Sequence, residues 1–227
     1  MNTSTYHKMR QELDPQKVQL LAVSKTRTPA EIQELYGLGQ RDFGENYVQE
    51  LVDKQVVLPP DIHWHFIGHL QSNKVKYIIP FVHMIQGVDS YKLLLEIDKQ
   101  ANKNQRVVLC LLQVHIAREE SKFGFSETEL MDSAASIIQS RKADQLQHVR
   151  IGGLMGMASL SEDQDLVRRE FILLKSLFDR MKKILTGDPV HTLSMGMSND
   201  YSLAVAEGST MIRIGTALFG ERSQNRQ

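Results

Sequence analysis

The sequence predicts an α/β protein, a single (β/α)8 barrel over residues 1–227, and three observations carry that reading. Eight short strand-like runs occur along the chain, each separated from the next by a stretch with helical periodicity. Strict alternation of strand and helix implies parallel strands joined by helical crossovers. No Pro/Gly/Ser-rich or low-complexity linker interrupts the series, so nothing divides the chain into two domains. Eight such units fit a closed TIM-type barrel better than an open doubly wound sheet.

The first strand is expected over residues 18–25, where the apolar run LLAV leads to Lys25. Thr28 then caps a helix over 28–38, with Pro29 at the first helical position. A short strand at 41–45 leads to a helix at 47–56, and a strand at 63–68 to a helix at 71–79. A strand at 84–88 precedes a helix at 91–102. Residues 107–116 form the longest apolar run; the loop AREESKFGF follows, then a helix at 126–140 with Ser126 and Glu129 spaced as a capping box. A strand at 149–157 precedes the amphipathic helix 162–185, and a strand at 192–197 precedes a short helix at 199–207. Residues 211–219 end the pattern as the eighth strand. Only GERSQNRQ follows Phe219, so the last unit lacks a full helix, and an N-terminal helix over Thr3–Leu13 is expected to cover that gap.

Composition narrows the functional class. Hydrophobic residues make up 41% of the chain, enough to fill a core. Lys+Arg and Asp+Glu balance at 27 each with no basic stripe, so nucleic acid has no electrostatic footing. The one cysteine, Cys110, excludes an internal disulfide, fits a reducing compartment and reads as a small buried hydrophobe. The opening MNTSTYHKMRQEL has no apolar h-region, and no run reaches membrane-spanning length; a cytoplasmic protein with no membrane partner is expected.

In such barrels the chemistry sits at the C-terminal ends of the strands, where Lys25, Asn46, His69, Asp89, Ser198 and Thr216 fall. Lys25 shares a strand face with Val23 and Leu21, a face that can point into the barrel mouth. A lysine withdrawn from water loses pKa and becomes a neutral nucleophile able to form Schiff bases with carbonyls. From position alone, a rim lysine in a surface ion pair is the alternative. SMGMSND runs from a strand into a helix start, with Ser198 as the expected N-cap and free N–H groups beyond it, an arrangement that attracts anions. The next strand ends RIGT, where Gly215 permits close backbone approach and Thr216 offers a hydroxyl. Loops after strands seven and eight often bind phosphate in barrels.

A Schiff-base lysine with a phosphate cup suggests pyridoxal phosphate, or an aldolase acting on a sugar phosphate. Arg213 separates the two: just before the phosphate glycine, it is placed to face a pyridine nitrogen. As a permanent donor it would keep that nitrogen unprotonated and the ring a weak electron sink. His63, His65 and His69 have even spacing, but Asp61 is the one carboxylate near them in sequence. Packing or a cofactor-side role is therefore expected in place of a metal site. Arg118-Glu119-Glu120 reads as a solvated loop, and Met195 and Met197 as packing.

The stretches LLAVSKT, FGENYVQE, WHFIGHLQSNK, ESKFGF, GLMGM and LSMGMSNDYSLAVAEGSTMIRIGTALFG span nearly the whole chain in order. On them the sequence resembles the pyridoxal phosphate homeostasis proteins, relatives of the barrel half of alanine racemase. The resemblance implies a fold-type III barrel that binds pyridoxal 5'-phosphate, with Lys25 holding it as a Schiff base. It implies Asn46 beside the ring hydroxyl, Arg213 at the pyridine nitrogen, and Ser198, Gly215 and Thr216 as the phosphate cup; it assigns no catalytic or metal residue. Two positions depart from the pattern: His115 stands where asparagine is expected, and Gln86-Gly87 replaces a histidine-serine pair. Both fall on strands four and five, away from the cup, and bear on ligand preference more than on cofactor binding.

The leading expectation is a carrier and not an enzyme. It would hold the cofactor on Lys25 in vitamin B6 homeostasis, shield other amines from the aldehyde and pass it to apo-enzymes. A two-base racemase needs a second proton donor, which alanine racemases take from a second domain and a partner subunit, and no residues remain here to build that domain. The alternatives are a weak pyridoxal phosphate-dependent amino-acid racemase or related enzyme, and a cofactor-free Schiff-base aldolase. A monomer or weak dimer is expected.

Overall fold

Eight parallel strands pair in sequence order and close into a barrel, in a computed structural model that describes residues 1–119 and 123–221. The strands are β1 (Gln19–Val23), β2 (Asp42–Glu45), β3 (His63–Phe66), β4 (Met84–Val88), β5 (Val108–Val114), β6 (Val149–Gly156), β7 (Thr192–Ser194) and β8 (Met211–Ile214). Closure is made by β1 against β8, with Leu21 opposite Arg213. The helices are α1 (Thr3–Leu13), α2 (Pro29–Gly37), α3 (Val48–Gln55), α4 (Val75–Ile78), α5 (Tyr91–Lys103), α6 (Glu127–Lys142), α7 (Gln164–Ile184), α8 (Tyr201–Ala206) and α9 (Thr216–Phe219). Strands covered on both faces read as near-continuous apolar runs, which is why they were legible.

Side chains alternate across the wall. Leu20, Ala22, Phe43, Trp64 and Phe66 belong to the large core shared with the helices. Leu21, Met84, Leu111, Met155 and Met211 pack into a separate inner cluster that plugs the barrel, with Ile67, Leu109 and Met157 against it. Methionine fills irregular gaps well, and three of those five inner residues are methionines.

The expected capping box of Ser126 with Glu129 opens α6, and Thr28, expected as a cap, forms a capping box with Glu31 at the start of α2. Helix α1 covers the gap left by the last unit. The Asn2 N–H donates to the Leu218 carbonyl at 2.7 Å, while Tyr6, Met9 and Leu13 are buried.

Several boundaries differ from expectation. Strand β1 stops at Val23, and Lys25 lies in the turn beyond it. The helix expected at 71–79 opens with a 3-10 turn, Ser72–Lys74, ahead of α4. The eighth strand ends at Ile214; Gly215 leaves strand geometry, and Leu218 and Phe219 are buried from the short α9 instead. Met195 is buried as expected, but Met197 is about one-third exposed. Gly196 has φ +96, and a Cβ there would lie 2.6 Å from the Ala204 Cβ, so only glycine lets this loop press onto α8. Cys110 is buried, which raises its thiol pKa. Of the loop AREESKFGF, Glu120, Ser121 and Lys122 lie outside the described residues, as do residues 222–227. Among the described residues no helix is long and apolar enough to cross a membrane.

Candidate functional site

The turn that carries Lys25 is braced from outside the barrel wall. Strand alternation sends Ser24 and Glu45 outward, toward α3. There the Ser24 hydroxyl donates to Glu45 Oε1 at 2.6 Å. Lys54, on α3, donates to the same oxygen at 2.7 Å, to the Ser24 carbonyl at 2.7 Å and to Glu50 Oε1 at 2.6 Å. Glu50 Oε1 also accepts from the Thr26 N–H at 2.5 Å. The backbone on either side of Lys25 is thereby tied to one buried ammonium. Thr26 has φ +64, which a β-branched residue rarely adopts without strain. Burial raises the Glu45 carboxyl more than Lys54 and Ser24 lower it, leaving it at about 7. Its Oε2 is buried without a hydrogen-bond partner among the described residues. Sequence reading missed this cluster; the signal available was the i, i+4 pair Glu50–Lys54 beside a carboxylate on a strand.

In that turn, two residues past Val23, Lys25 is half-buried. Asn46, the next inward position after Gly44, is half-buried, and its Oδ1 is shielded from solvent without a partner among the described residues. On the neighbouring strand, Arg213 is only 4% exposed. Its Nη1 donates to the Ser194 carbonyl and hydroxyl, each at 2.8 Å, and its Nη2 donates to the Gly156 carbonyl at 2.9 Å. Nε makes no hydrogen bond among the described residues. Burial lowers the Arg213 pKa to about 10, against the pull of Asp200, so the guanidinium is charged at neutral pH.

Ser198 is not a helix cap. It sits in the turn before α8, and Asp200 takes the cap position instead, with its Oδ1 accepting from the Met197 N–H at 2.5 Å. An aspartate two residues on competes for the role that the sequence assigned to serine. The N–H groups of Ser198 and Asn199 donate to no described residue. The adjoining loop is held alongside by the Arg213 N–H, which donates to the Gly196 carbonyl at 2.9 Å. Gly215 is half-buried and Thr216 exposed. A Cβ at Gly215 would touch nothing closer than Val23 at 3.5 Å, so the protein itself does not require glycine there.

Gln86 is not remote from this site. Its Oε1 accepts from the Ser194 hydroxyl at 2.7 Å, and its Nε2 lies 3.1 Å from His65 Nδ1 and 3.1 Å from Met211 Sδ. Gly87 has its own reason: a Cβ would fall 2.3 Å from the Gly68 carbonyl oxygen. His115, just past β5, lies with Nε2 2.8 Å from the Glu119 carbonyl.

The three histidines do not form one group. His63 and His65 lie at the N-terminal end of the barrel, 3.2 and 3.1 Å from Asp42 Oδ1. The carboxylate near them is therefore Asp42; Asp61 pairs with Arg41 and Tyr36. Burial would raise Asp42, but the hydrogen bond from His65, first among the opposing contacts, overcomes it and holds the group at about 2. His69 is at the other end, its Nδ1 2.9 Å from Asp89 Oδ2 and its ring stacked on Phe123 at 3.9 Å. No set of three His, Cys, Asp or Glu side chains among the described residues is arranged to hold a metal ion. Arg118 is exposed, as a solvated loop requires, but Glu119 Oε1 accepts from the Leu160 N–H at 2.9 Å.

The mouth thus offers an amine on a braced turn, a buried and anchored arginine, a shielded amide oxygen and a loop before α8 with N–H groups that donate to no described residue. A phosphorylated aromatic aldehyde suits that donor set. Comparison with known proteins is consistent with this chemistry. The family profile described as the alanine racemase N-terminal domain matches residues 3–223. The pyridoxal phosphate homeostasis protein of Pasteurella multocida is 38% identical over 226 residues, covering 97% of this chain and 94% of that protein. The protein of the same name from Aquifex aeolicus is 40% identical over 204 residues, covering 89% and 86%. The structure of PipY from Synechococcus elongatus with pyridoxal phosphate bound superposes with a TM-score of 0.85 at 38% identity, covering 97% of this chain and 100% of PipY.

Proposed function

The chain belongs to the family of the alanine racemase N-terminal domain, and we propose that it binds pyridoxal 5'-phosphate and serves in the homeostasis and carriage of that cofactor. In this reading it works in the cytoplasm as one barrel over residues 1–227, as a carrier and not an enzyme, and passes the cofactor to apo-enzymes. Bound at the mouth, pyridoxal phosphate supplies an aldehyde electrophile and an absorbing ring that reports its own protonation. Lys25 provides the capturing amine, Asn46 faces the ring hydroxyl and Arg213 the pyridine nitrogen. Ser198, Gly215 and Thr216 hold the phosphate.

The observation that carries this reading is the pairing of β1 with β8, which sets Leu21 opposite Arg213 and supports a site in which the turn after β1, with Lys25, shares the barrel mouth with a buried, charged guanidinium. An arginine there is a donor only. It favours an unprotonated ring nitrogen, which suits holding the cofactor and disfavours carbanion chemistry. The relatives named above carry homeostasis in their names, which supports carriage over turnover.

The test is the spectrum of the loaded protein. A band in the violet that borohydride bleaches, with the label mapped to Lys25 and both lost in Lys25→Ala, is the expected result. Wild-type occupancy in Lys25→Ala would instead assign binding to the phosphate loops. Amino-acid racemisation by the wild type that vanishes in Lys25→Ala would favour the enzyme reading. Arg213→Glu is expected to move the band through ring protonation while keeping much of the cofactor.

A further inference from the structure

Arg213 is held by more than its two backbone contacts. Its Nη1 reaches the Ser194 hydroxyl, Ser194 reaches Gln86, Gln86 reaches His65, and His65 reaches Asp42 at the far end of the barrel. The direction of every bond in this series follows from one fact: arginine can only donate. Ser194 Oγ therefore accepts from Arg213 and spends its single proton on Gln86. The Gln86 atom that receives it must be Oε1, which turns Nε2 toward His65. His65 Nδ1 must then accept, so the imidazole proton sits on Nε2 and is donated to Asp42. The sulfur of Met211 also lies at 3.1 Å from Gln86 Nε2, which fits the same orientation, since sulfur there accepts. Both amide protons and the amide oxygen of Gln86 are thus used.

We propose that Gln86 is a positioning residue for Arg213, the middle link of a one-way hydrogen-bond chain that runs Arg213–Ser194–Gln86–His65–Asp42 through the barrel. A buried cation at the mouth and a carboxylate at the opposite end are joined by three neutral groups whose dipoles all point the same way. Such alignment polarises each bond in the series. Its effect at the mouth is to fix the rotation of the guanidinium plane, because Ser194 accepts on one side while Gly156 accepts on the other. Nε is then aimed by its two neighbouring nitrogens. A histidine at position 86, which the resemblance leads one to expect, has one donor and one acceptor in its neutral form. It can carry the chain but not the extra bond to Met211. The consequence for the cofactor rests on the reading of Arg213 given under Proposed function; the chain itself does not.

Two measurements test the two parts separately. In the full-length protein without cofactor, nitrogen NMR of labelled histidine, assigned with His65→Gln, is expected to show neutral His65 protonated on Nε2 at neutral pH. A proton on Nδ1, or an imidazolium, overturns the chain's direction. In the protein loaded with pyridoxal phosphate, Gln86→Leu is expected to shift the absorption band and weaken retention by up to about tenfold, the size of one lost buried hydrogen bond. Gln86→His is expected to restore both. Ser194→Ala cuts the next link and serves if Gln86→Leu does not fold. A band that stays in place in every Gln86 and Ser194 variant, while Arg213→Glu moves it, overturns the positioning role. A band that Arg213→Glu also leaves unmoved shows that Arg213 does not face the ring nitrogen; the NMR result still decides the chain.

Discussion

Two buried polar networks serve the same barrel mouth from opposite sides of its wall, and they are built differently. Outside the wall, Ser24, Glu45, Glu50 and Lys54 form a charged cluster with one ammonium and two carboxylates. Inside, Ser194, Gln86 and His65 form a neutral series between Arg213 and Asp42. The charged cluster leaves Glu45 Oε2 without a partner among the described residues, whereas Gln86 in the neutral series is fully used. Full charges grip backbone strongly but carry a desolvation cost that changes with pH. Neutral groups grip less, yet each fixes the orientation of the next. The turn bearing Lys25 needs the first kind of support, because it holds a strained Thr26. Arg213 has the second, which fixes the direction in which its guanidinium points.

The largest effect that would break this contrast is at Lys54. Lys54→Met removes the shared cation and leaves two carboxylates and a carbonyl behind, so urea denaturation is expected to show a loss of about 3–5 kcal/mol. A loss under 1 kcal/mol would show that the cluster is solvated and does not brace the turn. Next comes pH. The folded Glu45 pKa of about 7 lies above its ordinary value of 4.5, so the folded state binds the extra proton between those values. Its contribution is present at low pH and lost as pH rises through 7. Relative to Glu45→Gln, the wild type is therefore expected to lose stability between about pH 5 and 7, by no more than about 3 kcal/mol. Gln86→Leu should show no such slope relative to wild type, and a matching slope would erase the distinction between the networks. The smallest effect is at Thr26: Thr26→Gly relieves the positive φ but frees the unfolded chain, for a net gain of about 0.5 kcal/mol by thermal melting. A net loss would mean that the threonine side chain contributes support of its own.

The barrel was legible because its strands are apolar on both faces and its helices announce themselves with caps such as Thr28 before Pro29 and Ser126–Glu129. The end of β8 was not, since RIGTALFG stays apolar across the change from strand to helix, and hydrophobicity alone cannot locate the break that Gly215 makes. The site was half legible. Lys25 and Arg213 stood out because charged residues interrupt apolar runs. Glu45, Glu50 and Lys54 did not, because charged side chains are usually solvated, and only the fold brings them under one turn. Gln86 was visible as a departure from a family pattern, but its reach across the barrel to Ser194 depends on closure, which pairs strands far apart in sequence. The same holds for Asp42, which sequence distance hid behind Asp61.

The methionines that plug the barrel have a consequence for how such a site changes over time. Met84, Met155 and Met211 belong to the inner cluster, with Met211 against Gln86, and their side chains have several rotatable bonds and no branching. A rigid, branched filling would fit one polar residue at position 86 and resist any other. This filling can reshape around an amide or an imidazole, so the interior partner can be exchanged in a single substitution while the wall, the braced turn and the arginine stay where they are.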